Sequence, residues 1–182
     1  EQAIAGLEKI VKPEPKPEPT PEVKKVKSVT LSKTSYVYDG KTHKPSIVAK
    51  NDKGEKITSK DYTVKYAAGC KNVGSYTVKV TFKGDYKGTF TKTFKINPKG
   101  TSLSKVKAAR KSFSATWKKQ SKQTSGYQLQ YSTNKKFAKS VKTSTISKNT
   151  TVKKTVKKLS AKKTYYVRVR TYKNVKAGKK TV

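Results

Sequence analysis

The 182-residue sequence contains few of the residues on which catalysis, crosslinking or membrane insertion depend. It has one Cys, one His and no Met, and all ten of its acidic residues precede residue 98. A single Cys excludes an internal disulfide, although an extracellular chain can lack disulfides altogether. No apolar run approaches the roughly 18 residues of a membrane span, so membrane insertion is not expected. The absence of Met indicates an internal or mature fragment whose signal peptide, if any, lies upstream or has been removed.

Catalytic groups are scarce in both halves of the chain. From residue 98 onward there is no carboxylate, His or Cys, which excludes paired-carboxylate hydrolysis, ordinary metal sites and Cys/His nucleophiles there. His43 and Cys70 make a Cys/His pair conceivable, but no third residue that would orient it is evident; the alternative is an exposed turn His and a loop Cys. Asp52 and Glu55 are too few for a calcium loop. We therefore predict no enzymatic activity, catalytic residue, metal or cofactor.

The formal net charge of +35 is distributed unevenly. Residues 1–26 contain five Lys and five Glu, and residues 27–97 contain fifteen Lys and five acids. Residues 98–182 contain twenty-two Lys, three Arg and no acid. Such a region attracts polyanions, but its few Arg argue against specific nucleic-acid recognition, which usually uses Arg forks. Two interpretations stay open, a solvated Lys coat and a dedicated polyanion site.

The first 23 residues differ in composition from the rest. Residues 1–11 place Ile4, Leu7 and Val11 at helical spacing, which predicts the helical end of an upstream domain. Residues 12–23 contain five Pro at alternate positions between Lys and Glu. Alternating Pro favours polyproline II, so this segment is predicted to be a semi-rigid linker.

Residues 24–98 contain alternating apolar segments separated by turn residues such as Gly54, Gly69, Gly74 and Gly84. This spacing predicts a β-sandwich of about seven short strands. Four stretches carry a family resemblance: YDGKTHKP (38–45), DYTVKY (61–66), NVGSYTV (72–78) and GDYKGTFTKTFKI (84–96). They resemble the bacterial Ig-like (MBG-type) repeats of Gram-positive surface proteins.

Residues 101–182 show the same period-two alternation. Tyr165, Val167 and Val169 fall on one face of a predicted strand that begins after a polar corner, six residues beyond Leu159. A Tyr at this position is typical of the tyrosine corner of sandwich folds. Inward-alternating residues also occur upstream: Phe113, Ala115, Trp117, Tyr127, Leu129, Tyr131 and Val156. Together these segments resemble a fibronectin type III module. The family pattern continues into a last strand, G, which we expect to be missing or barely begun.

The opposite face of the Tyr165 strand carries the candidate binding residues. Tyr166, Arg168 and Arg170 alternate outward, and the fibronectin type III resemblance implies that Gln128 and Gln130 lie beside them. One ring, two guanidinium groups and two amides suit a sulfated, sialylated or phosphate-bearing glycan. An ordinary solvated sheet face is the alternative.

The chain is thus expected to be all-β, with two tandem Ig-like sandwiches. We expect a non-catalytic spacer and presentation region of an extracellular or cell-wall-associated Gram-positive protein, with weak adhesion to anionic cell-wall polymers. Its other expected partner is the upstream domain of the same chain, and a monomer is expected. Two alternatives stay open: an adhesin or carbohydrate-binding module for anionic glycans, and an accessory region of a secreted hydrolase whose catalytic domain lies upstream.

Overall fold

The computed structural model describes residues 23–177 and 180–181. The predicted helical end (1–11) and all but the last residue of the predicted linker (12–23) lie outside the described residues. Within them the chain is all-β, which confirms the predicted fold class. The described part contains no helix that is both long enough and apolar enough to cross a membrane.

The first module is a sandwich of two sheets. Its strands are β1 (Val26–Leu31), β2 (Ser35–Val37), β3 (Ile47–Asn51), β4 (Tyr62–Tyr66), β5 (Gly74–Phe82) and β6 (Thr89–Asn97). β1 pairs with β3, and the other four form a sheet in the order β2-β6-β5-β4. There are six strands rather than about seven, because the stretch between β3 and β4 forms only a bridge from Lys50 to Lys56 and a 3-10 turn at Ser59–Asp61.

The core of the first module follows from the alternation along β5 and β6. Val78, Val80, Phe94 and Ile96 are buried, whereas the residues between them point outward. Alternate side chains of a strand lie on opposite faces, so each strand contributes a single apolar row. The β1–β3 sheet covers these rows with Val29, Ile47 and Ala49.

The second module has the same two-layer plan. Its strands are β7 (Leu103–Ala109), β8 (Ser112–Trp117), β9 (Gly126–Ser132), β10 (Lys142–Ile146), β11 (Lys153–Val156) and β12 (Tyr166–Tyr172). One sheet has the order β11-β8-β7 and the other β10-β9-β12. The short strands β13 (Lys176–Ala177) and β14 (Lys180–Thr181) pair with each other. Among the described residues, β12 pairs only with β9 and is therefore an edge strand. The absence of strand G from the module stays a prediction.

Inward residues of both sheets form the second core, as the alternation predicts. Phe113, Ala115, Trp117, Tyr127 and Leu129 are all buried. The tyrosine corner is present as well. The Ser160 backbone N–H donates to the Tyr165 hydroxyl at 3.3 Å, which confirms the predicted bond between this phenol and upstream backbone.

The two cores are separate clusters joined by an irregular connection at residues 98–102. The second module binds this connection directly. The Thr171 hydroxyl donates to the Lys99 carbonyl at 2.9 Å, and the Lys118 N–H donates to the Ser102 carbonyl at 3.0 Å. One further bond crosses between the modules, from the Val73 N–H to the Gln123 side-chain oxygen at 3.3 Å. The connection is thus fastened to the second module.

Tyr127→Phe is expected to destabilise the second module by about 1–3 kcal/mol, because it leaves buried polar groups unpaired. The fully buried Tyr127 hydroxyl accepts from the Gln120 N–H at 2.8 Å and donates to the Asn149 carbonyl at 2.9 Å. Urea unfolding followed by the fluorescence of Trp117, the single Trp, measures the loss.

Tyr165→Phe is the matched control, since its hydroxyl accepts one longer bond at 3.3 Å. This variant should lose only about 0.5–1.5 kcal/mol, the value of a typical single hydrogen bond. A Tyr127→Phe variant as stable as the unmodified protein would contradict the argument.

Candidate functional site

Antiparallel pairing of β9 and β12 brings the predicted site residues together. Arg168 lies opposite Gln130, and Arg170 lies opposite Gln128. Directly opposite residues of an antiparallel pair share one face. Because Val167 and Val169 pack into the core, these four side chains lie on the outward side of the sheet. Both Arg are exposed and both Gln are half-buried.

Each Arg is held by the Gln opposite it. The Nε of Arg168 donates to Oε1 of Gln130 at 2.8 Å, and the Nε of Arg170 donates to Oε1 of Gln128 at 2.8 Å. Neither guanidinium makes a hydrogen bond through its terminal nitrogens within the described part of the chain. Both groups are therefore oriented by the protein while their paired N–H donors face solvent, which is the arrangement that binds a carboxylate, sulfate or phosphate.

The third strand of this sheet extends the polar face. Thr143 and Thr145 of β10 lie opposite Gln130 and Gln128. The Gln130 amide donates to the Thr143 hydroxyl at 3.1 Å, so this Gln links a hydroxyl on one side to a guanidinium on the other. We call the seven side chains of this surface the outer face: Gln128, Gln130, Thr143, Thr145, Tyr166, Arg168 and Arg170.

The loop between β9 and β10 closes one end of the outer face. Ser132 lies opposite Tyr166 and is buried. Its hydroxyl donates to the Lys139 carbonyl of this loop at 2.8 Å. The loop also places the Phe137 ring 4.2 Å from the Arg168 guanidinium carbon, a cation–π contact. Tyr166 is half-buried rather than fully exposed.

Phe137 could not be predicted as part of this surface, because its loop shows no periodic pattern. The only signal is a lone aromatic residue among Lys135, Lys136 and Lys139. A lone Phe among Lys residues indicates that its ring packs against another part of the chain. The sequence does not identify that partner, Arg168, because it lies on a distant strand.

Among the described residues, no cation of the second module pairs with an acid. The described residues contain a Lys24–Asp85 ion pair at 2.9 Å and a His43–Asp39 contact at 3.0 Å, and both lie in the first module. The Lys24 bond lowers the pKa of Asp85, and Asp85 in turn raises the pKa of Lys24. From residue 98 onward the sequence offers no acid that could neutralise the surface charge.

The structure corrects the expected exposure of His43 and places Cys70 in the predicted loop. The His43 side chain is only 15 % exposed; it stacks on the Tyr36 ring at 4.2 Å and lies 3.0 Å from an Asp39 oxygen. The Lys41 N–H, and secondarily His43, lower the pKa of Asp39. Cys70 is buried and belongs to the core of the first module.

Asp39 therefore orients His43, a contact that the sequence did not reveal. The Cys70 thiol donates instead to the Ala67 carbonyl at 3.0 Å. No hydrogen bond joins this thiol to His43 in the described ranges. In those ranges there is also no group of three or more His, Cys, Asp or Glu that could hold a metal.

Comparisons with known proteins address the second module most directly. No curated protein matches the sequence. A crystal structure of the chicken CNTN1 FN1–FN3 domains is similar, with 16 % identity, a TM-score of 0.40, and coverage of 84 % of this chain and 62 % of that one. A crystal structure of titin domains has 14 % identity and a TM-score of 0.30, with 80 % and 60 % covered. Residues 97–181, which contain the second sandwich and the outer face, match the family model of the fibronectin type III domain.

Proposed function

We propose that residues 24–181 are a non-catalytic spacer and presentation region of a larger secreted or cell-surface protein. Fibronectin type III domains are generally non-catalytic and typically occur in extracellular proteins. The resemblance of residues 24–98 to MBG-type repeats supports a Gram-positive source and attachment to the cell wall. In this role the two modules hold an upstream domain away from the surface and adhere weakly to anionic wall polymers.

The unneutralised charge of the second module is the observation that carries this proposal. Exposed Lys occur on both of its sheets, including Lys105 and Lys107 on β7, Lys142 on β10 and Lys153 on β11. A polyanion can therefore contact the module from many directions, and no single Lys dominates. Attraction of this kind arises from summed charge rather than from a shaped pocket.

Binding to heparin or teichoic acid should weaken steeply with salt, because the Debye length shrinks from about 10 Å at 0.1 M to about 3 Å at 1 M. Calorimetric titration of the whole chain over this range measures the effect, with uncharged dextran as the control polymer. Single changes such as Lys105→Ala or Lys153→Ala should alter affinity less than about twofold, since exposed charge contacts are each weak. Adhesion that persists at 1 M salt would contradict the proposal.

A second candidate function is specific recognition of anionic glycans by the outer face. The two Gln-held guanidinium groups favour it, because fixed donors lose less entropy on binding. Their strand positions are two residues apart, so the groups can engage two anionic substituents spaced by roughly 7 Å. If this candidate is correct, salt-resistant binding should vanish in Arg168→Gln and in Tyr166→Ala. Unchanged binding in both variants would exclude it.

A further inference from the structure

A cleft of about 820 Å³ opens where the two modules meet. Sites for small molecules typically measure about 300–1,000 Å³. In the first module, Tyr76 of β5 and Lys95 of β6 line the cleft from opposite faces of their sheet. Gln128, Arg170 and Tyr172 lie on the wall formed by β9 and β12 of the second.

The charged side chains that line this cleft are all cations: Lys95, Arg170 and Lys173. No acid is among the lining residues, although the first module carries several. The rest of the lining combines the rings of Tyr76 and Tyr172 with apolar groups such as Pro98 and Val175. An anionic ligand with an apolar face is complementary to this combination, because its charge meets Arg and Lys while its apolar side covers the rings.

Both walls are held in place before any ligand arrives. The Tyr76 hydroxyl donates to the Asn72 carbonyl at 2.7 Å, and its ring stacks on Phe94 with centroids 5.5 Å apart. On the other wall, Gln128 fixes Arg170. Val73 donates to Gln123 across the junction, and Thr171 donates to Lys99 of the connection. Both residues are buried and line the cleft. A site whose side chains are already fixed binds at lower entropic cost.

We infer that the cleft binds a segment of an acidic oligosaccharide, with a sugar ring against Tyr172 and the acidic group between Lys95 and Arg170. Sugar rings have apolar C–H faces that pack on aromatic rings, and a carboxylate or sulfate accepts the guanidinium and ammonium donors. This inference rests on the proposed adhesion to anionic polymers, which brings such chains to the surface. It differs in requiring one cation from each module.

Calorimetric titration of the whole chain at about 0.5 M salt, where the Debye length is well below 8 Å, tests the inference. The probes are a heparin-derived tetrasaccharide, tetragalacturonic acid and sugar-free tripolyphosphate. We expect saturable binding of at least one saccharide and weaker binding of tripolyphosphate. The saccharide that binds more tightly identifies the acidic group as sulfate or carboxylate. Tripolyphosphate binding as tightly as both saccharides would overturn the inference.

Arg170→Gln and Lys95→Gln should each weaken saccharide binding about tenfold, the loss of one charge-assisted hydrogen bond. Both side chains are exposed, so neither change should disturb folding. The matched controls are Arg110→Gln, at an exposed Arg of the second module, and Lys79→Gln on β5. Neither control residue lines the cleft, and each should change affinity less than about twofold.

An equal loss in Arg168→Gln would place the ligand on the outer face instead and overturn the inference. Wild-type affinity in both Arg170→Gln and Lys95→Gln would overturn it as well. These failures are distinct from failure of the proposed function, which is measured by salt-sensitive adhesion of long polyanions. That adhesion should be almost unchanged in all of these variants.

Discussion

Phe94→Ala is expected to destabilise the first module by about 3–5 kcal/mol, the usual loss for a buried Phe. The side chain is completely buried, and its ring lies between those of Tyr36 and Tyr76, with centroids 5.8 and 5.5 Å away. Since small domains are stable by about 5–15 kcal/mol, this removes a large part of the total. The second module should be almost unaffected, because its core is a separate cluster.

Two observables separate these effects in a single chain. Far-UV circular dichroism follows both modules, whereas the fluorescence of Trp117 follows the second. Phe94→Ala should shift the first circular dichroism transition to lower urea and leave the fluorescence midpoint in place. Thr93→Ala, at the neighbouring exposed position of β6, is the control and should change stability by no more than about 0.5 kcal/mol. A fluorescence midpoint that moves with the first transition would show that the two cores unfold together.

Gly126→Ala should have a comparable effect in the second module. A Cβ at this buried position would overlap the Ile146 carbonyl oxygen and lie 3.0 Å from the Tyr172 ring. Ile146 pairs with Tyr127, the residue that follows Gly126 in β9. The clash can therefore be relieved only by separating β9 from β10 at that point. Overpacking of a core usually costs about 1–3 kcal/mol, and because a backbone atom cannot rotate away, we expect about 3 kcal/mol or more.

Urea unfolding monitored by Trp117 fluorescence measures this loss in the module concerned. Gly100→Ala is the matched control, because no atom lies within 4 Å of a Cβ placed there. Its stability should differ from the unmodified protein by no more than about 0.5 kcal/mol. A Gly126→Ala variant as stable as the unmodified protein would show that β9 does not pack closely against the end of β10.

Much of the candidate site could be predicted before the structure. The period-two pattern at Tyr165–Arg170 identifies the inward and outward residues of β12, and the charge at Arg168 and Arg170 identifies the candidate ligands. The pairing with Gln128 and Gln130 needed the family resemblance, because a strand pattern does not name its neighbour. Phe137 could not be found, since its contact with Arg168 depends on how an irregular loop folds.

His43 and Cys70 show that a polar local sequence can hide partial or full burial. His43 lies between Lys41 and Lys44, and Cys70 lies between Gly69 and Lys71, so both local sequences suggest solvent exposure. Burial depends on what packs over a residue. His43 stacks on Tyr36, and Cys70 packs into the core of the first module; neither contact is visible in the local sequence. A short window of sequence contains no information about such neighbours.

The sequence by itself determined that the described part of the chain is all-β, which side chains of most of its strands face inward, and that every charged side chain after residue 97 is positive. These are local properties, because strand alternation has a period of two residues and charge is additive. The tertiary structure decided which strands pair, in what register, and therefore which Gln holds which Arg. It also decided that Lys95 and Arg170, 75 positions apart, line one cleft. Register and junction geometry arise from packing between distant segments, where a slip of one residue would turn every side chain to the other face.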